Sequence, residues 1–135
     1  MQINTLVSLS AILLDADYYT FIHSGRHVID GLSLLSASHL IPIKARAWID
    51  LNERKNLGED VDEKNIRKHK NDTLRLYQLL TPTQRIALPE SIKQDMQYFL
   101  DYLENDVPET LKHLGIKATK YKEIFNNLRQ IYCIV

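Results

Sequence analysis

Strand patterns and helical patterns occupy different parts of this 135-residue chain. Apolar and polar residues partly alternate from Thr5 to Leu14, which is the period of a strand with one buried face. Two short apolar runs, 26–29 and 32–35, flank Asp30-Gly31, and Asp-Gly between such runs predicts a tight hairpin. From residue 36 onward, apolar residues recur at helical spacing. The sequence therefore predicts a small strand-bearing front and a larger helical remainder.

Capping residues and apolar stripes locate the helices. Asp15 begins a short helix that ends at Ser24-Gly25, and Ser36 is placed to cap a long one that runs to about Asn56. Pro42 lies inside this long helix and predicts a kinked or tightened first turn. Further helices are predicted at Asp62–Leu80, Ile92–Leu103, Asp106–Gly115 and Tyr121–Tyr132, with a short helical turn after Thr81.

The expected fold class is α+β and mostly helical, with a small N-terminal sheet packed on a C-terminal helical bundle. Residues 1–57 would form the strand–helix–hairpin–helix part and residues 58–135 the bundle, within one structural unit. A sheet of three strands with open edges is marginal unless it is packed or extended. We therefore expect the bundle, another polypeptide or a second copy of the chain to complete it.

Composition and charge exclude several classes of protein. With 44% hydrophobic and 25% charged residues, the chain is neither disordered nor of low complexity. Lysine and arginine balance aspartate and glutamate at 17 each, so any affinity for nucleic acid must be local. A single cysteine, Cys133, excludes an internal disulfide and fits a reducing compartment, and no stretch is long enough to span a bilayer. We expect a cytoplasmic protein.

Lys44 occupies an unusual position for a charged residue. It falls within the apolar arc of the first long helix, beside Trp48, so its side chain must extend to solvent or meet an anion. In the second case it is a cation aimed into a cleft, where it can neutralise phosphate. Asp72 lies at the edge of the inward stripe of the next helix and is placed to point into a groove beside Lys44. Arg46 falls on another face and is expected to be solvated.

The segment from Lys64 to Asp72 contains the densest positive charge. Arg67, Lys68 and Lys70 form a basic surface that can contact a phosphate backbone, although mixed charge on an exposed helix usually provides only solubility. His69 falls on the inward side of this helix. We expect it to be a hydrogen-bonded core residue rather than a ligand.

Two Asp-x-Asp pairs, Asp15/Asp17 and Asp60/Asp62, have the spacing of carboxylates that hold a divalent metal for phosphoryl transfer. Both pairs precede predicted helices, so helix capping explains them more simply. The chain contains no glycine-rich phosphate loop, and no Ser-His-Asp arrangement or Cys-His pair stands out.

The run from Leu40 to Lys55, followed by Lys68-His-Lys-Asn-Asp72, resembles the nucleotidyltransferase-like proteins of the AbiEii/AbiGii toxin group. The likeness includes the Ile29-Asp-Gly-Leu hairpin and the strand beginning at Ser8, and it covers roughly residues 5–80. It implies a polymerase-β-like nucleotidyltransferase fold joined to a helical region. In that family an early Gly-Gly or Gly-Ser turn and a following Asp-x-Asp bind nucleotide phosphates and magnesium, and a later lysine and an acidic helix complete the site.

The resemblance places the later lysine at Lys44 and the first acid of the following helix at Asp72, while Arg75 stands at the second acid. The Gly-Ser turn and its Asp-x-Asp have no counterpart, and Asp15/Asp17 lies in the wrong place relative to Lys44 to replace them. The chain thus resembles the C-terminal part of a nucleotidyltransferase-like protein of toxin–antitoxin type, which is not expected to be catalytic alone.

Two further expectations concern cofactors and an alternative function. No cofactor is expected for the chain alone; magnesium and a nucleoside triphosphate belong to a complete site, for which Asp15, Asp17 or Asp30 would have to supply ligands. The alternative function is a non-enzymatic module for protein interaction or homo-oligomerisation, with the helical bundle or the exposed sheet edge as the binding surface.

Overall fold

The computed structural model describes residues 15–30, 32–105 and 118–134. These residues are mostly helical, as the sequence predicts. In chain order the elements are α1 (Ala16–Ser24), β1 (Arg26–Ile29), β2 (Leu32–Leu35), α2 (Ala37–Asn56), α3 (Glu63–Tyr77), α4 (Glu90–Asn105) and α5 (Ala118–Ile131). The predicted strand Thr5–Leu14 and the predicted helix Asp106–Gly115 lie outside the described residues.

The predicted hairpin is confirmed. Strands β1 and β2 pair antiparallel, with Arg26 opposite Leu35 and Ile29 opposite Leu32. Asp30 adopts a φ of 51°, the left-handed conformation that a two-residue turn of this kind requires and that aspartate tolerates. Among the described residues, the sheet consists of these two strands.

Helix α1 begins and ends as the sequence predicts. The Asp15 carboxylate accepts hydrogen bonds from the backbone N–H groups of Asp17 and Tyr18, at 2.9 and 3.2 Å, and so caps the helix. At the other end, a Cβ built on Gly25 would lie 2.1 Å from Cγ of His39. The missing side chain therefore lets His39 stack on Phe21, with ring centroids 4.5 Å apart, and joins α1 to the start of α2.

Helix α2 continues through Pro42 to Asn56. Ser36 is its N-cap residue, as predicted, but the Ser36 hydroxyl makes no capping bond and lies 2.8 Å from Nδ1 of His39. Proline has no N–H, so the carbonyl of Ser38 loses its usual helical donor at Pro42. The hydroxyl of Tyr132 donates to that carbonyl at 2.5 Å, which satisfies it from the far end of the chain.

Helix α3 is shorter than predicted and no helix follows Thr81. Asp62 caps α3 by accepting from the N–H of Lys64 at 2.9 Å, and the helix ends at Tyr77 rather than Leu80. The N–H of Thr81 approaches Oε1 of Gln84 at 3.4 Å, but this contact closes only a turn. The segment after this turn is hydrogen-bonded to α5. The N–H of Ile86 donates to the Ile131 carbonyl at 2.7 Å.

The main core lies between α2, α3, α4 and α5, so residues from both 1–57 and 58–135 build it. Its largest fully buried members include Ile41, Leu74, Met96, Phe99, Leu100, Leu103, Tyr121, Phe125 and Tyr132. A second cluster of Tyr18, Phe21, Ile43, Ala47 and Ile92 connects α1 to α2 and α4. None of the helices within the described ranges is long and apolar enough to cross a membrane.

Candidate functional site

Lys44 on α2 and Asp72 on α3 form an ion pair. Their Nζ and Oδ2 atoms are 3.2 Å apart, and the side chains are 25% and 22% exposed. Lys44 therefore meets an anion and also keeps part of its side chain exposed to solvent. Since both groups are half-buried, their attraction is stronger than that of an exposed pair in water. The catalytic role of the two residues stays a prediction.

Arg75 lies on the other side of the same carboxylate. Its Nη1 is 3.3 Å from Oδ1 of Asp72, so two cations hold one acid. A magnesium site for phosphoryl transfer uses paired carboxylates, and a carboxylate shared by Lys44 and Arg75 does not fit that requirement. The described part of the chain contains no group of three or more His, Cys, Asp or Glu side chains that could hold a metal.

The Asp-x-Asp pairs have structural partners. Asp15 and Asp62 cap α1 and α3 through backbone N–H groups, which confirms helix capping for one member of each pair. Oδ2 of Asp17 accepts a hydrogen bond from the Ser91 hydroxyl at 2.6 Å and so connects α1 to α4. These carboxylates therefore hold helices in place and do not converge on Lys44.

His69 is buried, as predicted, but the expected hydrogen bond is absent. The residue is 2% exposed, and neither ring nitrogen has a hydrogen-bond partner among the described residues. Asp72, the carboxylate whose charge acts on His69, already pairs with Lys44 and Arg75. Burial lowers the pKa of His69 to about 4; Lys44 and Lys68 also lower it, and Asp72 opposes them.

The prediction that Arg46 is solvated is wrong. Its guanidinium bridges Asp50, at 2.7 Å, and Asp95 on α4, at 3.3 Å. The hydroxyl of Tyr18 donates to Asp95 at 2.8 Å, so the network joins α1, α2 and α4. Burial raises the pKa of Asp50. The i,i+4 spacing of Arg46 and Asp50 was visible in the sequence, whereas Asp95 is brought in only by the packing of α4.

A cleft of about 230 Å³ opens between α2, α3 and α4, and we call it the α2–α4 cleft. It is lined by Trp48, Asn52 and Lys55 from α2, by Glu63, Ile66, Arg67 and Lys70 from α3, and by Tyr102 from α4. The basic surface predicted from Arg67, Lys68 and Lys70 is therefore not one solvated face. Lys70 lines the cleft and is only 7% exposed, whereas Lys68 is exposed and does not line the cleft.

The sequence did not single out Tyr102 or Asn52. Tyr98 and Tyr102 are spaced i,i+4 on α4, and both are exposed, which is an unusual pattern for large aromatic residues. Only the crossing of α4 over α2 shows that the Tyr102 ring lies 4.5 Å from that of Trp48. Compared with known proteins, the chain matches no family model, no curated protein and no solved structure.

Proposed function

We propose that this chain is the supporting, C-terminal part of a nucleotidyltransferase-like protein, in which Lys44 and Asp72 line a cleft for a nucleotide or RNA. The observation that carries the proposal is the 3.2 Å ion pair between residues 28 positions apart. These are the two positions that the resemblance to the AbiEii/AbiGii toxin group assigns to the site. The resemblance assigns both positions from the sequence alone, so their contact supports the assignment.

The shared carboxylate gives Lys44 a way to engage a phosphate. When a phosphate oxygen replaces Asp72 as the partner of Lys44, Arg75 still neutralises Asp72. The exchange therefore leaves no half-buried charge without a partner. An unpaired half-buried charge would be destabilising. Lys44 can thus move between an internal anion and a ligand anion.

We propose further that the chain does not transfer nucleotides alone. Phosphoryl transfer needs carboxylates that hold magnesium against the triphosphate. The sequence has no Gly-Ser turn followed by Asp-x-Asp, and in each of its two Asp-x-Asp pairs one carboxylate caps a helix. Magnesium would have to be held by residues other than those around Lys44.

Calorimetric titration with nucleoside triphosphates tests the role of Lys44. We expect Lys44→Ala to weaken triphosphate binding about tenfold or more, because it removes a charge-assisted contact to phosphate. Lys64→Ala is the matched control, since Lys64 is an exposed lysine on α3, and it should leave the affinity unchanged. Equal affinities for wild type and Lys44→Ala would contradict the assignment.

The same protein, incubated with labelled nucleoside triphosphates, magnesium and total tRNA, should transfer no label. Transfer that is abolished by Asp15→Ala and Asp17→Ala would overturn the inactive interpretation and assign those carboxylates to a metal site. Transfer insensitive to Lys44→Ala would argue against the lysine as part of the site.

The hairpin favours a second candidate function, an interaction or homo-oligomerisation module. Among the described residues its two strands pair only with each other, and Val28 on β1 is 65% exposed. A sheet edge of this kind accepts a further strand. Light scattering is expected to show a species larger than the 15.7 kDa chain, and a strict monomer at all concentrations would remove homo-oligomerisation.

A further inference from the structure

We propose that the α2–α4 cleft is a second binding site, distinct from the Lys44–Asp72 pair, and that it holds one nucleotide unit by its phosphate and its base. The cleft begins at Trp48, one helical turn beyond Lys44, and extends along α2 to Lys55. None of the residues that line it belongs to the Lys44–Asp72–Arg75 group. The inference therefore stands whether or not the proposed function is correct.

The charge of the lining favours an anion. Lys55, Arg67 and Lys70 line the cleft together with one carboxylate, Glu63. Glu63 and Lys55 pair with each other at 2.5 Å, so the guanidinium of Arg67 adds positive charge to the lining. Arg67 is exposed and makes no ion pair within the described ranges. A guanidinium with free donors matches a phosphate group, which it can bind through two parallel hydrogen bonds.

The aromatic residues favour a ligand that also has a flat ring. Trp48 is 2% exposed and Tyr102 is 45% exposed, and their rings are 4.5 Å apart at 54°. Trp48 is thus a fixed support, while much of Tyr102 remains available for stacking. Stacking of a nucleobase on tyrosine is tolerant of base identity, because every base has a π-face.

Asn52 supplies a polar group beside the rings. Its Nδ2 donates to the carbonyl of Trp48 at 2.9 Å, which fixes the amide against α2. The amide oxygen can then accept a hydrogen bond from the edge of a base. Cation, aromatic ring and amide are the three contacts that recognise a nucleotide in a single strand.

The size of the cleft limits the ligand to one unit. Its volume of about 230 Å³ lies below the roughly 300–1,000 Å³ of pockets that enclose a whole small molecule. The exposure of Tyr102 and Arg67 shows that it is open to solvent. An acidic peptide would use the cations but not the aromatic rings. A free nucleoside monophosphate and one residue of a single-stranded RNA share the required chemistry.

The single tryptophan provides a local probe, because Trp48 lines the cleft. Its fluorescence, excited at a wavelength that nucleotides do not absorb, would be titrated with AMP, a short oligoadenylate and inorganic phosphate. We expect the emission to change with AMP or oligoadenylate at concentrations where inorganic phosphate has no effect. Binding by oligoadenylate alone would identify a strand as the source of the nucleotide, whereas equal affinity for both would identify the free nucleotide.

Two pairs of variants assign the contacts. Arg67→Gln and Tyr102→Ala should each weaken binding about tenfold, and Arg67→Gln should also reduce the salt dependence of the affinity by about one phosphate contact. The controls are Lys64→Gln and Tyr98→Ala, which alter an exposed cation of α3 and the exposed tyrosine one turn before Tyr102. They should bind as wild type does.

All four substitutions are at exposed positions, and thermal unfolding by circular dichroism verifies that each variant is folded. Three results would overturn the proposal. They are the absence of any emission change with either nucleotide ligand, binding of inorganic phosphate as tight as that of AMP, and unchanged affinities in both Arg67→Gln and Tyr102→Ala.

Discussion

Replacing Tyr132 with phenylalanine is expected to lower the free energy of unfolding by about 2 kcal/mol. The Tyr132 hydroxyl donates to the Ser38 carbonyl at 2.5 Å, and both residues are buried. Burial also raises the pKa of Tyr132, so the group stays a neutral donor at ordinary pH. Removing the hydroxyl leaves a buried carbonyl whose usual helical donor is already lost at Pro42, and such an orphaned group costs far more than an exposed one.

Pro42→Ala is the variant that separates this mechanism from a general packing effect. Alanine at position 42 supplies the N–H that a helix normally donates to the Ser38 carbonyl. In that background, Tyr132→Phe should cost less than about 0.5 kcal/mol, because the carbonyl keeps one donor. Urea unfolding of the four proteins in the cycle measures the coupling. An equal cost of Tyr132→Phe in both backgrounds would show that the hydroxyl does not compensate for the proline.

The relation between Pro42 and Tyr132 illustrates what the sequence could predict. A proline inside a helical pattern indicated that the start of α2 is irregular, and the capping and apolar periodicities correctly located α1, α2, α4 and α5. The partner of the orphaned carbonyl lies 94 positions away, and no local pattern contains that information. Long-range pairs depend on how helices cross, which periodicity does not determine.

The candidate site, too, was predictable from the sequence only in part. The position of Lys44 in an apolar arc required an anion or an escape to solvent, and Asp72 was the acid at the facing edge, so the pair was predictable from both helices. The cleft was not, because it needs Tyr102 of α4 beside Trp48 of α2. The basic run 64–70 could be recognised as cationic, but only the packing of α3 decides which of its charges face a cleft.

His69 should make the protein less stable in mild acid. Its pKa is about 4 in the folded protein and about 6.5 in an unfolded chain. Because the unfolded state binds the proton more readily, the free energy of unfolding falls as the pH drops below 6.5, and it levels off below 4. Between pH 7.5 and pH 5, this histidine alone is expected to remove about 2 kcal/mol.

The pKa of His69 is low because its ring is buried and no described residue accepts a hydrogen bond from it. The side chain is 2% exposed and neither nitrogen has a hydrogen-bond partner. The charges that act on it are Lys44 from α2 and Lys68 from α3, which oppose a second positive charge, and Asp72, which attracts it but already pairs with Lys44. Protonation therefore places a cation in a buried, net positive environment.

Urea unfolding of wild type and His69→Leu at pH 7.5, 6 and 5 measures this contribution, since leucine fills similar space without titrating. The difference between the two proteins should change by about 2 kcal/mol over this range in favour of His69→Leu. Asn65→Leu is the matched control: Asn65 is also 2% exposed, and its Nδ2 is likewise unpaired within the described residues, yet it cannot titrate. Its pH profile should parallel that of wild type.

Two results would contradict the prediction. One is parallel pH profiles for wild type and His69→Leu, and the other is an NMR titration in which every histidine ring takes up its proton above pH 6. Either result would show that His69 gains a partner when it is charged.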